Sequence, residues 1–453
     1  MKRVCRASKP DWLLVPTERT VSRRSRFRLA AALLLGCLLV QVGRGQFLES
    51  VIPVGNTPTD ILWNPVSNKV YTANSQSGTV TVIDGATNQV LATVPVASDP
   101  TFLCHNSIQN KVYCTSGDPD WLYVIDGVGD SVINRVRTRG YPTLMTHNTT
   151  MNKLYVLCYD DRMVRVYDGA ADSLLAEALL GSIPGTLTWH PVANRVLCSL
   201  FGTDSVLTID CTVDQVTERL AVGRHPYPMC WNPMNNFVYV DSDGGIRVLT
   251  ADGDSVVDVI AADALCMSFV PYPNKLYAIA SRTVVIDCVT QTVTDSLEYE
   301  GNAVVCDTIR GKVYSAATYP SQCYVFNART DTLVTAVRLG TSPQAICWNW
   351  VNSRVYIADA MDDAVYVIRD TSVGIGESGP ATFSQRCESA RVIAGTLSWP
   401  GRRSANLVDP CGRVVAVLRP GSNDLSRLGP GVYVASDESS RVRIKVVKLR
   451  KTG

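Results

Sequence analysis

The chain has 453 residues, 46% of them apolar and 19% charged, with a formal net charge of +2. Such a length supports two or three domains and a large core, and such an apolar content excludes a disordered chain. The near balance of Lys and Arg against Asp and Glu argues against a dedicated nucleic-acid binder, whose binding domain normally carries a basic surplus.

Residues 1–45 read as a leader. The basic run "RTVSRRSRFR" precedes an apolar run from Leu29 to Val40, shorter than the roughly 20 residues a membrane helix needs. Small residues Gly43 and Gly45 follow. This is the order of a secretory signal peptide cleaved after Gly45. "SRRSRF" is only loosely like a twin-arginine signal, and the apolar run continues past the lipobox-like "LLGC" at Cys37. No other segment suits a membrane helix.

From residue 46 onward one pattern repeats. "NKVY" ends at Tyr71 and at Tyr113, "NKLY" at Tyr155, "NRVL" at Leu197 and "NFVY" at Tyr239, each 42 residues after the last. "NKLY" at Tyr277, "GKVY" at Tyr314 and "SRVY" at Tyr356 follow at steps of 38, 37 and 42. A proline opens most copies (Pro58, Pro100, Pro142, Pro184, Pro226, Pro343), and Trp63, His105, His147, Trp189, Trp231 and Trp348 stand five residues later. The third segment ends in Asp84, Asp126, Asp168, Asp210 or Asp287, where a carboxylate can bond a backbone N–H two residues on. Each copy holds four segments of period-2 alternation rich in Val, Ile, Thr and Tyr, which predict strands. Four strands in about 40 residues make one blade of a β-propeller.

The strand count bears on closure. With strands lettered a to d from the axis outward, eight a–b–c sets are present, but the last copy ends at "AVYVIRD" without a d strand. "FLESVIPV", 47–54, has the d-strand pattern and sits at the other end of the array. The expectation is an all-β protein with an eight-bladed propeller whose two ends share one blade. Seven blades stay open if the short fifth or sixth copy is not a full blade. The repeats from "PTDILWNPVSNKVYTANSQSGTVTVIDGATNQVLATVPV" onward resemble the YVTN β-propeller repeats of secreted and surface-layer proteins, over about residues 47–369. That resemblance implies an architecture rather than an activity.

Residues 370–383 are rich in Gly and Ser and read as a linker. Residues 384–453 hold short strands with polar turns, which fit a small antiparallel β-sandwich. "NLVDPCGRVVAVLRPGSNDLSRLGPGVYVASDESSRVRIKVVKLR" resembles the C-terminal sorting domains of type IX secretion cargo. "GIGE" at Gly374 matches the usual entry to such domains, whereas "FSQRCESAR" replaces their common opening "PNP". The resemblance implies passage across an outer membrane, with secretion machinery as partner.

Catalytic chemistry finds little support. There is no CxxC pair, no GxSxG and no Gly-rich phosphate loop, so no metal site, nucleophile or cofactor is assigned. "IDGATNQVL" has a passing likeness to the repeats of quinoprotein dehydrogenases, but Asn88 and Ala92 replace the Gly and Trp of that signature. Cys104, Cys230 and Cys347 share a column and read as small buried hydrophobes. Cys104 with Cys114, and Cys387 with Cys411, are candidate disulfides if the compartment is oxidising. His105 and His147 read as packing residues between blades. The b–c and d–a loops should share one face around the channel, with a rim of Arg139, Tyr141, Arg224, His225, Tyr227, Trp121 and Asp161. The loops shorten around 243–247 and 280–283, which removes material rather than adding a site.

The expected function is a secreted or surface-exposed binding or structural module, without catalysis, taking an extracellular glycan or a protein. An enzyme with a central-channel site (lyase, glycosidase or quinoprotein-like oxidoreductase) and a periplasmic propeller with a protein or nucleic-acid partner are the alternatives.

Overall fold

A computed structural model of the chain describes residues 45–371 and seven strands between 391 and 448. In the first stretch eight four-stranded antiparallel sheets follow one another as blades of a propeller. Blade 1 shows the plan, with strand a at Pro58–Asn64, b at Lys69–Asn74, c at Thr79–Asp84 and d at Val90–Pro95. Blades 2 to 7 span 100–137, 142–179, 184–221, 229–260, 266–297 and 303–338. The fifth and sixth copies are full blades despite their short strands, so the count is eight. Blade 8 takes strands a to c from Pro343–Asn349, Arg354–Asp359 and Ala364–Asp370, and its d strand is Gln46–Pro53. The register runs from Gln46 opposite Asp370 to Pro53 opposite Ala364. Gln46 Nε2 donates to Asp370 Oδ1 at 2.9 Å, and Arg354 Nε to Glu49 Oε2 at 2.5 Å.

The core lies between blades. Strands b and c are buried almost throughout, whereas d strands leave alternate residues in solvent. The repeated Tyr of strand b is fully buried in seven blades, from Tyr71 to Tyr356. Each cluster joins two neighbours; one packs Tyr155 and Val166 of blade 3 on Leu187 and Val196 of blade 4. A lone blade would leave such a face in water, which is why the array closes on itself.

The repeat's polar letters are explained by that packing. The Asn before Lys or Arg sits at φ near +53° in blades 1 to 4 (Asn68, Asn110, Asn152, Asn194), a conformation Asn tolerates better than most residues. Its side chain accepts from the turn of the preceding blade: Asn64 from blade 1 reaches Asn110 at 2.8 Å, and Asn349 from blade 8 reaches Asn68 at 3.0 Å. The following Lys and Tyr grip the c–d turn of the next blade. Lys153 Nζ lies 2.7 Å from Asp214 Oδ2, and Tyr155 Oη donates to Asp214 Oδ1 at 2.7 Å. Lys69 and Lys111 repeat the grip on Asp130 and Asp172, Lys275 on Asp331 and Lys312 on Asp370. The Asp ending strand c does what its position predicts: the Ala170 N–H donates to Asp168 Oδ1 at 2.7 Å.

Beyond residue 390 the described strands form a five-stranded sheet and a two-stranded one. Arg391–Ile393 pairs parallel to Arg443–Lys448, so the larger sheet is mixed rather than purely antiparallel. The signal-peptide and linker assignments fall on residues outside those described, apart from their inner ends. Among the described residues no helix is long and apolar enough to cross a membrane.

Candidate functional site

The two faces of the ring are built differently. On one face the a–b and c–d turns carry the Asn, Lys and Asp side chains that latch blade to blade. On the other, the b–c loop of each blade packs beside the d–a loop leading into the next. The Ser75 N–H donates to Thr57 O at 3.0 Å, and the Asp99 N–H to Ser75 O at 3.2 Å. The two loop families therefore share a face, as the strand order requires.

The predicted rim residues all lie on this face or at its edge, in two groups. The first spans blades 2 and 3. Tyr141, at φ +54°, donates its Oη to Asp99 Oδ2 at 3.1 Å and its N–H to Asp120 Oδ1 at 2.9 Å. Asp161 is held by Arg165 Nη2 at 2.6 Å, and Arg165 also reaches Glu177 and the Arg139 carbonyl. These bonds fix the loop while the Arg139 side chain stays exposed. Trp121 begins strand c of blade 2 and lies under the Arg135 guanidinium at 4.9 Å. It is part of the blade edge and not a free platform. The second group spans blades 4 and 5. His225 Nδ1 is 3.2 Å from Asp243 Oδ2, Arg224 Nε is 4.0 Å from the same oxygen, and Tyr227 leans on Phe201 at 6.2 Å.

The Trp and His column faces the preceding blade, not the channel. Trp348 stacks on Tyr314 of blade 7 at 5.8 Å, and Trp63 packs into the cluster of blades 8 and 1. His147 Nε2 bonds Asn152 Oδ1 of its own turn at 3.1 Å. Burial pulls both His105 and His147 down to about 4, so they are neutral packing residues.

The cysteine pairing needs correction. Cys104 stands opposite Tyr113, and Cys114 opposite Leu103. Adjacent ladder positions point to opposite sides of a sheet. Cys114 packs with Tyr71 and Val82 of blade 1, and Cys104 against Leu154 and Val156 of blade 3. Both are free thiols. Cys387 and Cys411 fall outside the described residues. Burial pushes the Cys104 thiol up to about 12, which suits a small apolar filler and not a nucleophile. Among the described residues no group of three or more His, Cys, Asp or Glu side chains is arranged to hold a metal ion.

Two acidic positions escaped the sequence reading. Asp60 lies on strand a of blade 1, in a column otherwise filled by residues such as Phe102, Leu144, Cys266 and Ala303. Its carboxylate accepts the N–H of Leu103 on blade 2 and of Ile61, both at 2.8 Å. Enclosure by the inner strands raises it from an ordinary value near 3.8 to about 6. Asp241, in the b–c loop of blade 5, is raised to about 7 by burial and then by Asp263. Its Oδ1 is enclosed and finds no hydrogen-bond partner among the described residues. Being the only charged residue in its column was the available signal for the first. The second needed the loops' approach in space.

Charge is unevenly placed along the chain. Residues 46–371 hold 20 Lys and Arg against 33 Asp and Glu, a net −13, while residues 1–45 carry +8 and residues 372–453 carry +7. The whole chain's near-neutrality thus conceals an acidic ring. Exposed acids on the loop face include Asp118, Asp160, Asp243, Asp263, Glu300 and Asp362. Tyr141, Tyr159, Tyr227 and Tyr319 are 37%, 42%, 42% and 77% exposed among them.

No protein-family model matches the chain, and no curated protein matches it. Solved structures do. One is Kuenenia stuttgartiensis hydrazine synthase, with 16% identity and a TM-score of 0.52, over 71% of this chain and 96% of that one. Another is the Cps50 (Swd1) β-propeller domain of Myceliophteria thermophila, with 8% identity and a TM-score of 0.53, over 72% of this chain and 100% of that one. At such identities the likeness is one of fold: the chain is an eight-bladed β-propeller.

Proposed function

We propose that the protein is a secreted, non-catalytic binding module that presents its ligand surface on the b–c and d–a loop face. In this reading residues 1–45 direct export, and the C-terminal region acts as a type IX sorting signal that brings the ring to the cell surface or the medium. The repeats are of the YVTN type. The observation that carries the binding role is the division of labour between faces. One face spends its polar side chains on latches between blades. The other varies from blade to blade and leaves Arg, Tyr and Asp side chains in solvent, which is where a rigid scaffold carries recognition.

The test has two arms. Host cells and medium are fractionated and both ends of the mature chain are mapped by mass spectrometry. A chain beginning near Gln46 and ending near Asp370 outside the cell is expected; one retaining Lys448 in the periplasm overturns the sorting role. The full chain is then screened against extracellular glycans and proteins beside Arg139→Ala, Tyr141→Ala and Tyr227→Ala variants. Loss of capture in the variants is expected, and unchanged capture overturns the loop-face assignment.

The runner-up, an enzyme working in the channel, rests on Asp60, which breaks its column and whose raised pKa is a mark of functional carboxylates. Its two backbone donors from neighbouring strands suit a staple between blades equally well. Asp60→Asn abolishing a turnover seen with the parent would favour the enzyme.

A further inference from the structure

The latch that joins most blades is missing on both sides of blade 5. Between blades 4 and 5, Leu197 stands in the tyrosine column, so no phenol reaches the next turn. Arg195 stands in the lysine column and meets Asp252 only at 3.6 Å, with the Asp252 side chain 58% exposed. Asp254, in the latch position, accepts instead from Thr250 and Ser255 of its own turn. Between blades 5 and 6, Phe237 replaces the lysine and Gln291 the aspartate. Tyr239 Oη still donates to Gln291 Oε1 at 2.9 Å, but both partners are neutral. Among the described residues no ion pair crosses this boundary. A hydrogen bond to a charged partner is worth roughly twice a neutral one.

Blade 5 is also the least knitted within itself. Its first three strands, Met229–Trp231, Val238–Val240 and Ile246–Leu249, run for 3, 3 and 4 residues, against 7, 6 and 6 in blade 1. Each missing ladder position forfeits backbone hydrogen bonds. Trp231 Nε1, Asn236 Oδ1 and Asp241 Oδ1 are enclosed without a hydrogen-bond partner among the described residues. Such burial is costly, and opening returns these groups to water.

We propose that blade 5 is the locally opening unit of the ring, which loosens from blades 4 and 6 while the latched boundaries stay shut. Regions with short ladders and few strong contacts open first. The loops entering and crossing blade 5 carry His225, Tyr227 and Asp243, the second rim group. The first group stands on blades 2 and 3, which Lys111 and Asp172 latch together. The loop face therefore has a fixed half and a movable half.

Native cysteines report the boundaries. Cys288 and Cys211 hold the same turn position and are both buried, one against blade 5 and the other against blade 3. Cys230, Cys104 and Cys347 share a column of strand a, are all partly buried, and pack towards blades 6, 3 and 1. The full chain is exposed to iodoacetamide under native conditions, and alkylation of each cysteine is followed by mass spectrometry. Cys288 should react about tenfold faster than Cys211, and Cys230 faster than Cys104 and Cys347. Amide hydrogens of Val238–Val240 should exchange before those of Lys153–Cys158. Equal rates within these matched sets overturn the proposal. The latch is then transplanted. Phe237→Lys with Gln291→Asp should slow Cys288 to the rate of Cys211, and Lys153→Phe with Asp214→Gln should raise Cys211 to the rate of Cys288. If both transplants leave the two rates unchanged, the absent latch does not free blade 5 and the proposal falls.

Discussion

Single side chains in this ring are positioned by their neighbours rather than by their own preferences. Asp60 is the clearest case. Its folded-state pKa of about 6 lies above the ordinary value, so between pH 4 and 6 the folded chain holds a proton that the unfolded chain has released. Stability therefore falls as pH rises through that window, and the deficit is complete above it. Asp60→Asn keeps an acceptor for Leu103 and removes the charge. The variant should be the more stable by an amount that grows from pH 4 to 6 and then levels off, as urea melts at each pH would record. A difference independent of pH would mean that the carboxylate titrates normally. Asp241 should behave alike with its window reaching to about pH 7.

At the scale of the element, the unit is the latch of Lys, Tyr and Asp across most blade boundaries. Tyr155→Phe removes one bond to a buried carboxylate and should cost about 1 kcal/mol. Asp214→Ala strands both Lys153 and Tyr155 in a nearly closed boundary, and should cost about 3 kcal/mol. Denaturant midpoints check both, and equal losses would mean that the Lys153 contact contributes nothing. These latches explain what was readable beforehand. The strands, their order and the shared blade were legible because alternation survives in every copy and the step stays between 37 and 42 residues. The Asn and Asp turns were legible as turns, but their partners were not. The partner lies 61 residues away in Lys153–Asp214, and nothing local announces it. The cysteine pairing failed for a related reason: pairing by apparent proximity on adjacent strands is off by one register, and one register reverses a side chain's face. Asp241 was hidden because two loops meet there only once the ring is closed.

For the whole molecule, closure and charge matter most. Removing residues 46–53 deprives blade 8 of its outer strand and exposes an unpaired edge. The shortened chain should melt at least about 5 °C lower, and a synthetic peptide of residues 46–53 should restore part of the loss. No response to the peptide would mean that the strand contributes little to closure. Charge gives a simple signature of processing. A chain trimmed to residues 46–371, at −13, should be held more strongly on an anion exchanger than one that also keeps residues 372–453, at −13 + 7 = −6. Two elution positions in the medium would reveal both forms.

The meeting of Gln46 with Asp370 has a consequence for how the chain could be drawn through the fold. Its first and last blade residues are ladder partners, and Lys312 of blade 7 grips Asp370 as Lys153 of blade 3 grips Asp214. The break in the ring is thus a matter of where the chain enters and leaves it, not of where the fold is weak. A gene that joins Asp370 to Gln46 through a short linker and opens instead in the c–d turn of blade 3, at Ala170–Ala171, should yield a circular permutant with the same eight blades. The seam is a movable address.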